Sequence, residues 1–367
     1  MAVMLHSDII REIERIAPPA LQEGYDNTGL QVGDLSDECK GVMICVDATK
    51  AILDETIAHG CNLLLTHHPL LFRATKKITP QGRIGGVIFK AIQNGVTIYS
   101  CHTAIDNARG GVSWEMARML GLTNISTLDR QTGRMMKLVV MVPFSHVDVV
   151  RNALFEIGAG SLGDYDSCSY STVGEGTFRP LADANPFVGS RGAVHTEPEA
   201  RVEVLLPSWL QAKAEAALRK AHPYEEPAYD FIALANAAPY SGSGVIGDLA
   251  EAMTEADFVA LVKATFGSPV ARTTRPSGRT IKRVGLCGGA GIDFAPLAIA
   301  RGADAYICSD TKFNFFLDYA DDVFLTDIGH FESENCTKTI FYRIISEKFA
   351  NFAVRKSIIE DNPINYL

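Results

Sequence analysis

The 367-residue chain is 47% apolar and 21% charged, the composition of a globular protein with a substantial core, and it is long enough for two domains. Its net charge of -9 argues against a nucleic-acid binder built on phosphate contacts, and no apolar run reaches the ~18 residues of a membrane helix. The N-terminus carries Asp8, Glu12 and Glu14 in an amphipathic pattern unlike a signal peptide, and the eight cysteines are scattered without a C-x-x-C, so a cytoplasmic chain with reduced, buried thiols is expected.

Residues 7–16 are expected to form a helix, with Ser7 as its cap and apolar positions 9, 10, 13 and 16 on one face. Pro18-Pro19 ends it, and Asp26-Asn27-Thr28-Gly29-Leu30-Gln31-Val32-Gly33 reads as a turn and a short strand. Buried strands follow at 41–47, 61–66 and 95–101, with helices at 49–59, 83–94 and 113–120. The texture then changes. Strands at 137–142, 201–206 and 228–234 and helices at 146–157 and 208–221 suggest a small α+β unit of ferredoxin-like type, and 160–200 reads as short alternating segments. From residue 243 the first texture returns. Helices at 254–266 (capped by Thr254), 293–301, 311–320 and 334–349 alternate with strands at 281–287, 304–308 and 322–327. Alternating strands and helices are the signature of an α/β fold, whose sites gather at strand C-termini.

Three strand ends carry chemistry. Leu63-Leu64-Leu65-Thr66 runs into His67-His68-Pro69, and neutral imidazole is a common ligand for borderline metals. The plain alternative is two unrelated histidines, one hydrogen-bonded in the core. The next strand delivers His102 and Asp106, and a later one His330 and Glu334. In both pairs the spacing is four residues, which puts the side chains on one face of a turn entering a helix. Histidines and carboxylates in this number exceed what one tetrahedral zinc needs and suit two divalent ions about 3.5–4 Å apart.

Weaker candidates surround these. Gly288-Gly289-Ala290-Gly291 could cradle a phosphate or simply turn a strand into a helix. His222, Glu225 and Glu226 could bind a third cation or form a solvated turn. Asp47 and Asp310 end strands and could orient ligand histidines, and Cys101 and Cys336 lie near the candidates. Ser309 lacks the G-x-S-x-G of a nucleophile elbow.

The stretches Tyr25-Asp26-Asn27-Thr28-Gly29-Leu30-Gln31-Val32-Gly33, Thr66-His67-His68-Pro69, His102-Thr103-Ala104-Ile105-Asp106, Gly288-Gly289-Ala290-Gly291, Gly329-His330-Phe331-Glu332-Ser333-Glu334 and Asn362-Pro363-Ile364 together resemble the Ngg-interacting factor three family, often labelled type 2 GTP cyclohydrolase I. The resemblance covers essentially the whole chain. It implies a two-half α/β core, 1–127 and 239–367, with an inserted PII/CutA-like domain at 128–238 that ends in His222-Pro223-Tyr224-Glu225-Glu226. It implies that His67, His68, Asp106, His330 and Glu334 ligate two divalent ions (zinc, iron or manganese), with Glu334 bridging and His102 close by as a proton-transfer group. It also implies a toroidal homohexamer. Asn314 stands where family members often have a histidine.

The expected function is a dinuclear metal-dependent hydrolase acting on a nucleotide or other phosphate-bearing small molecule. The family label implies GTP ring opening, with hydroxide attack at C8 of the purine and His102 moving the proton. The alternative is a non-catalytic oligomer that binds, traffics or senses metal.

Overall fold

The computed structural model describes residues 3–238, 241–360 and 362–366. The expected start of the third segment at residue 239 lies outside them, as do both chain ends. The chain is a mixed α/β protein with three sheets in two compact units, Met1–Asp129 with Tyr240–Leu367, and Arg130–Pro239.

The first unit holds two sheets. One runs in the order Gly29–Val32, Thr97–Ser100, Leu63–Thr66, Val42–Cys45, Val354–Lys356, with the first strand antiparallel and the others parallel. Every residue of Val42–Cys45, Leu63–Thr66 and Thr97–Ser100 is buried, as expected of a parallel sheet covered on both faces. Met43, Leu64 and Ile98 pack in one cluster with Ile52 and Leu53 of helix Lys50–Ala58 and Val87 and Ala91 of helix Arg83–Gln93. Each of these side chains larger than Ala91 contributes about 1.5–3 kcal/mol when fully buried. The other sheet runs Arg272–Thr273, Phe324–Asp327, Ala305–Cys308, Thr280–Leu286, Gly242–Thr254, Thr123–Arg130. Its strands Thr280–Leu286, Ala305–Cys308 and Phe324–Asp327 are parallel, so their C-terminal ends share one edge.

The second unit has the order strand–helix–strand–strand–helix–strand: Met135–Pro143, Val147–Glu156, Ser169–Phe178, His195–Pro207, Gln211–Ala221, Tyr229–Ala233. Its sheet is antiparallel throughout. Val202, Val204 and Leu206 alternate inward and meet Val150, Leu154, Ala214 and Leu218 of the two helices.

Several expectations are corrected. The first helix is His6–Ile16, and the Asp8 carboxylate, not Ser7, accepts the Leu5 N–H at 2.9 Å. The helix expected at 334–349 is Thr337–Lys348, and a separate short helix, His330–Glu334, precedes it. The stretch 160–200, expected as short alternating segments, holds most of one long hairpin, Ser169–Phe178 with His195–Pro207, and the first of these strands is almost wholly exposed. Strands Thr123–Arg130, Gly242–Thr254 and Val354–Lys356 were not anticipated.

Candidate metal centre

The apolar run Leu63–Thr66 ends in a bend that turns His67 and His68 to the same side, their ring centroids 4.9 Å apart. Hydrogen bonds from His67 N–H to Cys45 O at 3.2 Å and from His68 N–H to Val46 O at 2.9 Å hold the bend. The next strand end places His102 at the cap of the short helix Thr103–Asp106, with its ring 5.2 Å from His67 and 5.4 Å from His68. From the second sheet, Gly329 at φ 91 starts helix His330–Glu334, whose i, i+4 ends both face the histidine pair. His330 lies 5.3 Å from His68, ring to ring.

All six residues singled out in the sequence therefore converge. His68 Nε2 is 2.8 Å, His330 Nε2 3.0 Å and His67 Nε2 3.6 Å from Glu334 Oε2. Asp106 Oδ1 is 3.8 Å from His67 Nε2. Among the described residues, three groups have the compactness to hold a metal ion: His68 with His330 and Glu334, His67 with Asp106 and Glu334, and His67 with His68 and His102. The last brings His102 itself into reach as a donor. Asn314 is exposed on helix Phe313–Asp318 and belongs to none of them.

The far side of each imidazole settles what the near side offers. His67 Nδ1 is 3.2 Å from Cys101 O, His68 Nδ1 3.1 Å from Asp47 Oδ2, His102 Nδ1 2.8 Å from Asp26 Oδ1 and His330 Nδ1 2.8 Å from Asp310 Oδ2. A carbonyl or carboxylate can only accept, so each Nδ1 carries the proton. In the neutral ring each Nε2 then presents a lone pair toward the centre. Partners of this kind fix the tautomer and orientation of metal-ligating histidines. Asp47 and Asp310 thus orient His68 and His330, whereas Cys101 acts through its backbone oxygen rather than its thiol.

Lone pairs facing carboxylate oxygens repel unless positive charge lies between them. Among the described residues, His67 Nε2 and Asp106 Oδ1 are buried without a hydrogen-bond partner. Burial lowers the His68 pKa, but hydrogen bonds to Asp47 and Glu334 outweigh it and push it up to about 10. His330 follows the same balance, with Glu334 raising it to about 9. Glu334 is buried, yet the imidazoles of His67, His330 and His68 hold its carboxyl well below the ordinary range. Asp106 goes the other way, because burial and the charge of Glu334 outweigh the pull of His67. A centre that raises its histidines and leaves donors orphaned accepts cations, and this donor set fits divalent metal.

Sequence reasoning missed three supporting residues. Asp26 accepts from His102 Nδ1 and from Thr103 N–H at 3.0 Å; burial opposes ionisation, but these bonds hold its carboxyl well below the usual range. Glu360 accepts from Val46 N–H at 2.9 Å and Asp47 N–H at 2.8 Å, fixing the backbone that carries Asp47. Gly289, at φ +66, leaves the space that Glu334 occupies, since a Cβ there would lie 2.2 Å from Glu334 Oε1. That close approach is what the glycine run provides, rather than a free phosphate cradle; the Gly289 N–H donates to Ser333 Oγ at 3.0 Å. Asp26 and Gly289 both lie in the quoted sequence stretches, but nothing local marks their partners. His222, expected as a cation ligand or part of a solvated turn, is buried with both ring nitrogens engaged, by Met141 O at 2.9 Å and Tyr224 N–H at 3.1 Å.

The profile of the Duf34/NIF3 (NGG1p interacting factor 3) family matches residues 4–363. A Halalkalibacterium halodurans protein named GTP cyclohydrolase 1 type 2 homolog is 38% identical over 324 residues, 88% of this chain and 87% of its own. A Mycobacterium leprae protein of the same name is 37% identical, covering 89% of this chain and 86% of its own. The crystal structure of a Bacillus cereus protein related to NIF3 superposes with a TM-score of 0.88 at 33% identity over 100% of both chains. No helix among the described residues is long and apolar enough to cross a membrane. The chain belongs to the Duf34/NIF3 family.

Proposed function

We propose that the protein is a hydrolase using two divalent metal ions on a nucleotide or another phosphate-bearing small molecule. The observation that carries this reading is the sharing of Glu334 between the His68–His330 group and the His67–Asp106 group. A carboxylate held between two sets of donors suits a bridge between paired ions. His68 and His330 would hold one ion, and His67 and Asp106 the other. Bound there, such ions lower the pKa of a water and polarise the scissile group.

The chain's own residues do the rest. Asp47, Asp310 and the Cys101 carbonyl keep three imidazoles aimed inward. His102, tied through Nδ1 to Asp26, faces the same space with Nε2 and is the group we assign to proton transfer. Burial lowers its pKa, but Asp26 and Asp106 outweigh that and raise it, so it holds a proton readily. The names of the relatives make GTP the first substrate to test, with opening of the purine ring as the reaction.

Turnover that depends on added zinc, iron or manganese, and is lost in Asp106→Ala without loss of folding, is the expected result. An Asp106→Ala protein that binds no metal yet keeps all activity refutes the reading. Two ions without turnover of any nucleotide would favour a metal-binding or regulatory oligomer instead.

We also infer that segments 1–127 and 239–367 form the core and that 128–238 is an inserted ferredoxin-like domain of PII/CutA type, supported by its strand–helix–strand–strand–helix–strand order. The resemblance suggests a cytoplasmic homohexamer, and self-association is favoured by Phe313 and Leu317, which sit one turn apart and are 81% and 70% exposed. Sedimentation of the full chain tests it; a monomer at micromolar concentration contradicts it.

A further inference from the structure

The His222-Pro223-Tyr224-Glu225-Glu226-Pro227 turn is not used by the metal centre, and the second unit builds a cavity around it. The cavity measures about 370 Å³, within the range of small-molecule sites. Locked between Met141 O and the Tyr224 N–H, His222 fixes where the Tyr224 ring stands, with ring centroids 5.0 Å apart. Tyr224 neighbours two further rings of the wall, 5.8 Å from Phe178 and 6.2 Å from Phe187. Phe187 comes from the connection between the two hairpin strands. Glu225 ties that connection down, its carboxylate accepting the Asn185 N–H at 3.0 Å. So Glu225 is spent on structure, and the three rings form one box.

At the wall of the box lies Glu199, only 7% exposed. Its carboxylate fits because residue 176 is glycine; a Cβ there would lie 2.2 Å from Glu199 Oε2. Among the described residues Glu199 forms no ion pair; the neighbouring His195 is taken by Glu197 at 2.8 Å. The Tyr224 hydroxyl stands beside Glu199, and burial together with that carboxylate raises the phenol's pKa. A buried carboxylate without a counter-charge is costly, and it excludes anionic ligands from the cavity. Aromatic faces carry negative potential and attract cations that are weakly hydrated. A metal ion would need more oxygen or nitrogen donors than one carboxylate and a phenol supply.

We propose that this pocket of the second unit binds a small organic cation, an alkylammonium or quaternary ammonium head, held between the rings of Phe178, Phe187 and Tyr224 and the carboxylate of Glu199. All of its lining belongs to the second unit, and the reading of the metal centre does not bear on it.

The test is calorimetric titration of the full-length protein with choline and with its neutral isostere 3,3-dimethylbutan-1-ol. Choline should bind saturably and at least roughly tenfold more tightly than the isostere. Glu199→Gln should weaken choline about tenfold or more, and Phe187→Leu, at a half-exposed position that tolerates change, severalfold, both with unaltered metal content. No saturable binding of choline, equal binding of the isostere, or unchanged affinity in Phe187→Leu would each overturn the assignment, whether or not Glu199→Gln folds.

Discussion

His68 Nε2 lies 2.8 Å from Glu334 Oε2, although 266 positions separate the two residues in the chain. Neither sheet of the first unit brings them together alone. His68 ends a strand of one sheet, and Glu334 follows a strand of the other. Glu334→Gln keeps the shape and removes the charge. In the metal-free protein the His68 and His330 pKa values should then fall from about 10 and about 9 toward 6.5. Histidine-resolved NMR titration reads this directly, and unchanged titrations would show that Glu334 does not govern the pair.

The same raised values set a pH dependence. A histidine with a raised pKa in the folded state contributes stability that is fully present below the unfolded value of 6.5 and is lost as pH climbs through the folded value. The metal-free protein should therefore lose Tm steadily between pH 6.5 and about 10. Metal competes with those protons, so added metal should raise Tm most at the alkaline end of the window. A metal-free Tm that is flat or rising across that range speaks against the proton-loaded centre.

Asp47 and Asp310 reach His68 and His330 from outside, and each is replaceable. Asp47→Asn and Asp310→Asn should each cost about 10–100-fold in metal affinity while leaving the far-UV spectrum unchanged. Competition with a chromophoric chelator measures it. Affinity within twofold of the parent would remove the orienting role.

Gly289→Ala tests the close approach to Glu334. The left-handed backbone alone costs roughly 1–2 kcal/mol for a residue with a Cβ. The 2.2 Å contact adds displacement of the Glu334 carboxylate. Lower Tm together with reduced metal content is expected; full metal content would mean that Glu334 can shift without consequence.

On the proposed assignment of His102 to proton transfer, Asp26 and His102 are the pair whose loss should affect turnover more than metal binding. Asp26→Asn and His102→Gln should lower kcat by about 10²–10⁴ once a substrate is in hand. Metal content in Asp26→Asn should stay at the parental level. Full activity in both variants would take proton transfer away from His102.

These residues also show what sequence alone can reach. His67 and His68 are legible because three leucines drive a buried strand straight into them. His330 and Glu334 are legible because a four-residue spacing has a physical meaning at a helix start. Asp26 is not, because its partner His102 stands 76 residues away. Gly289 looks like any turn glycine until the side chain of Glu334 is placed against it. Strand Ser169–Phe178 has almost no buried face, so the alternation at 160–200 does not resolve into one ten-residue strand. Glu199 reads as one more surface carboxylate until the hairpin and the Tyr224 turn enclose it.

On the proposed reading, the converging imidazoles and carboxylates hold a pair of metal ions. Elemental analysis of the purified full chain, before and after loading with zinc, iron or manganese, tests it most directly. About two ions per chain, falling in His68→Ala and Glu334→Ala, is the predicted result. No ion above trace under any loading would contradict it and leave the histidine cluster a structural, proton-loaded core.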